Sequence, residues 1–298
     1  MPKKNIYLIL LSLGTALWGI SFSVTKLAVQ ESSLYIFLFY RFSLATVILC
    51  ACFYKYFKET SSESLLGGVK LALPLTAGIM LQTLGLKYLP ASQCTFIAGI
   101  CVVMVPVLKW GVYKMSVSAK IWIASLVALA GLCIISVSDT FTINQGAIYT
   151  ILGTFGFSMY LILVEKQATK GNIITTVVPM FAACTVLSLC FAVTEPAGSW
   201  VPANNNFWMA VIYCAVFTTA FMYTVSMMAQ KYIPAERVAI IYLFEPVFGA
   251  IAAFFILNED LSWRLFIGGG LILAATFVAE LNIKNMGFRK GIRTNKIS

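Results

Sequence analysis

The chain contains no histidine, and charged residues make up only 11% of its 298 positions. Without imidazole it lacks the side chain best suited to proton transfer at neutral pH and the commonest metal ligand. The cysteines, Cys50, Cys52, Cys94, Cys101, Cys133, Cys184, Cys190 and Cys214, include no Cys-x-x-Cys pair and fall inside or near apolar runs. They read as small buried hydrophobes, not as disulfides or a metal site. No Gly-x-x-x-x-Gly-Lys loop occurs, so ATP does not drive the protein directly. Aspartate occurs only at Asp139 and Asp260, without the clustered inner-loop carboxylates expected of a membrane lipid transferase. A non-enzymatic protein without cofactor or metal is expected, with a membrane-embedded lipid-modifying enzyme as a remote alternative.

What the chain has in abundance is apolar surface: 60% of residues are hydrophobic and the mean hydropathy is +0.90. Soluble domains carry roughly 25% charged residues. The composition is that of an all-α polytopic membrane protein, because a spanning helix needs about 20 apolar residues and satisfies its backbone internally. Runs broken by charge, Pro, Asn or Gly predict ten spans, at 6–27, 34–54, 69–87, 91–113, 119–138, 146–164, 173–194, 207–229, 236–257 and 263–281. Solvated loops are expected over 55–70 and 195–206, and a basic cytoplasmic tail over 283–298. Segment 6–27 follows Lys3-Lys4 as a signal peptide would, but it lacks a small-residue cleavage site and is expected to remain as the first helix.

Lys87-Tyr88-Leu89-Pro90-Ala91 returns as Lys231-Tyr232-Ile233-Pro234-Ala235, an offset of 144 that also lays Ser118 and Lys120 over Ser262 and Arg264. The chain is therefore a tandem repeat, 1–140 (helices 1–5) and 141–282 (helices 6–10), as in transporters with a site between two halves. Lys3, Lys4, Lys55, Lys58, Lys70, Lys114, Lys120, Lys166, Lys170, Lys231, Arg237 and the tail collect on one side, against Lys26, Lys87 and Arg264 on the other. By the positive-inside rule both termini are cytoplasmic. Five helices per half, an odd number, make the repeats inverted in topology. The net charge of +10 is spread over inner loops and the tail, which fits anionic lipid and no nucleic acid.

Several features together resemble the drug/metabolite transporter superfamily, EamA type. They are Trp18-Gly19 with Lys26 in helix 1, Arg41-Phe42 in helix 2, and Phe96-Ile97-x-Gly99 ahead of Val105-Pro106 in helix 4. Glu245-Pro246-Val247-Phe248 in helix 9, Asn258-Glu259 at its end, and Gly268-Gly269-Gly270 in helix 10 complete the set. The family's first repeat usually has an acidic residue where this chain has Met115, beside Lys114. The resemblance implies two inverted five-helix repeats that move small metabolites across the bacterial inner membrane, often exporting amino acids. It also implies a central cavity lined by helices 1, 3, 4, 6, 8 and 9, with helices 5 and 10 peripheral.

Glu245 lies near the centre of span 236–257, where an ionised carboxylate is costly unless it meets water, a partner or a ligand. Tyr242, Glu245 and Gly249 share one helix face. The repeat-related positions are Ala98, Cys101 and Val105, so the polar site is one-sided. Pro246 frees a backbone carbonyl one turn earlier and permits a bend. Arg41 sits roughly 10 Å inside helix 2, where it can meet an anionic group or pair with a neighbour such as Glu31. Trp18, Phe96, Tyr160 and Tyr223 join Tyr242 as rings able to stack on a planar substrate or an ammonium. Gln82, with Thr83, adds polar groups on helix 3, and Lys26 and Lys166 are expected to anchor helix ends. The reading is a secondary transporter exporting amino acids or related zwitterions and amines by alternating access, with proton or cation coupling, as a monomer or homodimer. The alternative is an importer or exchanger of a nucleoside-like cofactor such as S-adenosylmethionine. A passive channel fits less well, since Glu245 belongs to no symmetric ring.

Overall fold

The computed structural model describes residues 3–30, 32–136, 144–171, 173–195, 199–260 and 263–280, and every regular element among them is helical. Glu31, Asp139, Ser262 and the expected basic tail lie outside the described residues. Ten helices follow in order: α1 Lys3–Val29, α2 Leu34–Phe53, α3 Ser62–Leu86, α4 Ala91–Gly111, α5 Ala119–Ser136, α6 Gln145–Ala168, α7 Ile174–Ala192, α8 Asn205–Ala229, α9 Ala235–Leu257 and α10 Arg264–Glu280. Eight of these, all except α5 and α10, are long and apolar enough to cross a bilayer, while α5 and α10 carry the shorter apolar stretches Ala119–Ile134 and Phe266–Ala279. At 1.5 Å per residue these last two helices reach about 27 and 26 Å, slightly short of a ~30 Å hydrocarbon core.

The stretch 55–70, which the sequence predicts as a solvated loop, is mostly helical. A 3-10 turn over Tyr54–Glu59 continues α2, and α3 begins at Ser62. The cause is local: the Ser61 hydroxyl accepts the amide of Ser64 at 3.2 Å and Glu63 lies in the first turn, so a polar segment makes a well-capped helix start. Hydropathy is blind to that signal.

Helix α1 packs along α9, α3 along α6 and α7, α2 along α7, and α5 along α10. The closest crossings rely on glycine. A Cβ on Gly19 would lie 2.7 Å from the Gly249 amide nitrogen and 2.8 Å from the Glu245 carbonyl, so α1 meets the α9 backbone directly, as small residues allow in membranes. The repeat also reaches the backbone. Lys114 (φ 53°) and Asn258 (φ 54°) are the left-handed non-glycine residues among those described, and 258 − 114 gives the same offset of 144. Both α4 and α9 break in mid-course, at Gly99-Ile100 and at Tyr242-Leu243. In α9 the reason is Pro246, which has no N–H to return to the Tyr242 carbonyl, so that carbonyl accepts from Glu245 at 2.8 Å instead.

Candidate functional site

The break in α9 sets Tyr242 and Glu245 at the middle of the bundle, facing α1. There, Trp18, Arg41, Gln82, Tyr223, Tyr242 and Glu245 line one cavity together with Ser21, Thr25, Thr83, Cys101 and Phe157. The walls come from α1, α3, α4, α6, α8 and α9, and also from α2 through Arg41, which the family resemblance does not include. Ala98 and Cys101, the repeat-related positions of Tyr242 and Glu245, are part of the lining too. One wall is thus acidic and aromatic and its counterpart is small and apolar.

Glu245 is enclosed by protein but keeps part of its surface on the cavity. No hydrogen-bond or ion-pair partner from the protein reaches its carboxyl among the described residues. Arg41 is 6% exposed. Its Nε donates to Thr219 Oγ1 at 2.8 Å and its Nη2 to Thr218 Oγ1 at 3.1 Å, and no described carboxylate pairs with it. Buried charges normally have counter-charges. Here a cation and a carboxyl share a cavity, and neither has one among the described residues.

Trp18 forms the floor. Its ring centroid is 4.7 Å from Tyr242, 5.0 Å from Tyr223 and 5.9 Å from Phe157. Its indole N–H donates to the Thr218 carbonyl at 2.9 Å, and the Tyr242 hydroxyl meets Ser226 Oγ at 2.5 Å. Trp18 meets Tyr242 and Phe157 edge-to-face, and with Trp18 and Tyr242 each fixed by a hydrogen bond these rings make a directional surface. Tyr160 stands one layer behind, fully buried and 5.8 Å from both Phe157 and Tyr223. Phe96 packs in a separate apolar cluster with Val102, Leu132, Ile240 and Leu243, away from the other predicted residues.

The α1 and α3 residues of the lining, Trp18 to Thr25 and Ile79 to Leu86, belong to the C-terminal halves of those helices. The cavity therefore extends from the Trp18 layer toward that end. At the opposite end Lys109 of α4 ties three helices together, its ammonium lying 2.8 Å from Glu165 of α6 and 2.5 Å from Glu236 of α9. Tyr7 and Tyr232 stack beyond it at 5.5 Å. Glu165 also accepts the amide of Ala235 at 3.1 Å. The repeat-related amide, Ala91, donates to Glu259 at 2.9 Å, so each of these helix starts is met by a carboxylate. By symmetry Ala235 would be met by residue 115, which is Met; Glu165 from α6 takes that role. Lys26 donates to the Leu89 carbonyl at 2.7 Å, and Lys166 lies 3.8 Å above the Tyr113 ring.

Sequence reasoning did not single out Phe157, Ser21 or Thr25, although Phe157 is three residues before Tyr160, and Ser21 and Thr25 follow Trp18 at i+3 and i+7 on one helical face. Nothing in the sequence signals Lys109, Glu165 and Glu236, which three distant helices bring together.

Known proteins resemble this chain in sequence and in fold. An uncharacterized transporter of Archaeoglobus fulgidus is 27% identical over 278 residues, covering 91% of this chain and 96% of that one. A protein of Rickettsia prowazekii named S-adenosylmethionine uptake transporter is 23% identical over 254 residues, 83% of each chain. A solved crystal structure with 14% identity superposes with a TM-score of 0.71 over 91% of this chain and 95% of its own, which is a likeness of fold. Residues 5–137 and again 144–280 match one family. The chain is a multi-pass membrane transporter and belongs to the EamA-like transporter family.

Proposed function

We propose that the protein is a secondary transporter that carries a small zwitterion, an amino acid or a close relative, across the bacterial inner membrane by alternating access, with export as its working direction. The observation that carries this reading is the pair Arg41 and Glu245, which line one cavity with no counter-charge on either among the described residues. A zwitterion supplies both missing partners at once, its carboxylate to the guanidinium and its ammonium to Glu245, while the rings of Trp18, Tyr223 and Tyr242 bear on its side chain. When no substrate is bound, Glu245 is free to hold a proton, which couples transport to a proton gradient. With both termini cytoplasmic and the halves 1–140 and 141–282 inverted, the cavity faces outward and the Lys109 cluster closes the inner end. Rocking of one half against the other exchanges the two closures.

A second reading is favoured by the Rickettsia relatives named S-adenosylmethionine uptake transporter. That compound carries the same zwitterion with a sulfonium and a planar base, both suited to an aromatic wall, and its transport would be inward. Purified protein in proteoliposomes, given a labelled amino-acid mixture or labelled S-adenosylmethionine with and without an imposed pH gradient, separates the two. Gradient-dependent movement of amino acids supports the first reading. Movement of S-adenosylmethionine alone supports the second, and movement of neither overturns both.

A further inference from the structure

The cation of this site is held in an unusual way. Residues Cys214–Phe221 of α8 are wound as a π-helix, and the Met222 amide bonds the Phe217 carbonyl, one residue further back than in an α-helix. That shift takes from the Thr218 carbonyl its ordinary amide partner, and the Trp18 indole N–H takes the carbonyl instead. π-wound segments are rare and frequently occur at functional sites. On the same turn the Thr218 hydroxyl donates to the Cys214 carbonyl at 2.9 Å, so its lone pairs are free to accept from Arg41. Thr219 accepts from the Arg41 Nε. Two donors of the guanidinium, Nε and Nη2, are thereby fixed, and Nη1 has no protein acceptor among the described residues. Because both anchors are neutral hydroxyls, they fix the orientation of the cation without cancelling its charge. An Asp or Glu in either position would orient the guanidinium equally well but would also neutralise it.

We propose that Thr218 and Thr219 are positioning residues that aim Arg41 into the cavity, and that they set the selectivity of the transporter for substrates bearing a free carboxylate over the corresponding amines. This rests on the zwitterion reading above and adds the element that makes it selective. A substrate carboxylate needs a guanidinium fork presented in a set direction, since bidentate pairing depends on geometry as well as charge. If the hydroxyls are removed, Arg41 keeps its charge but loses its direction. Binding of a carboxylate then weakens, while an amine that relies on Glu245 and the rings is unaffected.

The test measures binding of two pairs to the full-length protein in detergent, each ligand against its decarboxylated form: phenylalanine with phenethylamine, and S-adenosylmethionine with decarboxylated S-adenosylmethionine. The parent should prefer the carboxylate member of at least one pair. Thr219→Val and Thr218→Val should each lower affinity for that member about tenfold, the scale of one lost hydrogen bond to a charged group, and leave the amine member unchanged. Thr219→Ser, which keeps the hydroxyl, should restore the preference. If either valine variant fails to fold, the other carries the measurement. Valine variants that keep the parental preference, or that lose both members of a pair equally, overturn the positioning role. A parent that binds both members alike in both pairs overturns the zwitterion reading itself, so the two failures are distinguishable.

Discussion

Arg41 of α2 and Glu245 of α9 line the same cavity from opposite halves of the chain, and no ion pair joins them. In a medium where unpaired charge is costly, such a separation is the arrangement expected if a substrate satisfies both, as proposed above.

Orientation is tested with single cysteines in a background without the native ones. Lys87, Ala203 and Ser62 are all exposed, so reactivity reports sidedness and not burial. Positions 87 and 203 should react with an impermeant maleimide in intact cells and position 62 should not. Labelling at 62 would refute the inverted arrangement.

Glu245→Gln keeps the shape and hydrogen bonding of the side chain while removing its ability to ionise. Gradient-driven accumulation should be abolished in proteoliposomes while substrate exchange persists. Were the variant to accumulate substrate with the parental pH dependence, Glu245 would be a structural residue only.

Trp18→Ala and Tyr242→Ala should each weaken substrate binding by about 1–3 kcal/mol, the scale of a lost aromatic contact with its burial. Membrane insertion should survive, because α1 and α9 remain strongly apolar. Trp263→Phe is the control, since Trp263 is 65% exposed beside α10. Binding by both alanine variants equal to that of the control would mean that the cavity floor does not touch substrate.

Lys109→Gln would leave the carboxylates of Glu165 and Glu236 facing each other without their shared cation, at a cost of about 3–5 kcal/mol for an uncompensated buried charge. Glu236→Gln leaves a one-to-one pair and should cost less. Apparent unfolding midpoints in detergent should therefore fall in the order parent, Glu236→Gln, Lys109→Gln. The reverse order would show that Lys109 is not what holds α4, α6 and α9 together at this end.

The sequence by itself determined the helical class, the approximate spans, the repeat and the depth of Glu245. Each of these is a local quantity: apolar run length, a recurring pentad, the distance of a charge from the ends of a run. It also marked Pro246 as a bend, because the missing N–H is covalent. Only the tertiary structure decided which faces meet. Trp18 and Tyr242 converge because Gly19 lets α1 touch the backbone of α9, while Phe96, no less aromatic, turns into a different cluster. Arg41 joins the cavity because the π-wound turn of α8 offers it two hydroxyls, a pairing across 178 positions that no periodicity encodes. The start of α3 at Ser62 escaped hydropathy because capping acts through polar side chains. The closure by Glu165 in place of Met115 was invisible for the same physical reason that separates the two kinds of information. Periodicity reports how each helix is buried, whereas the partner of a buried charge depends on how separate helices are set against one another.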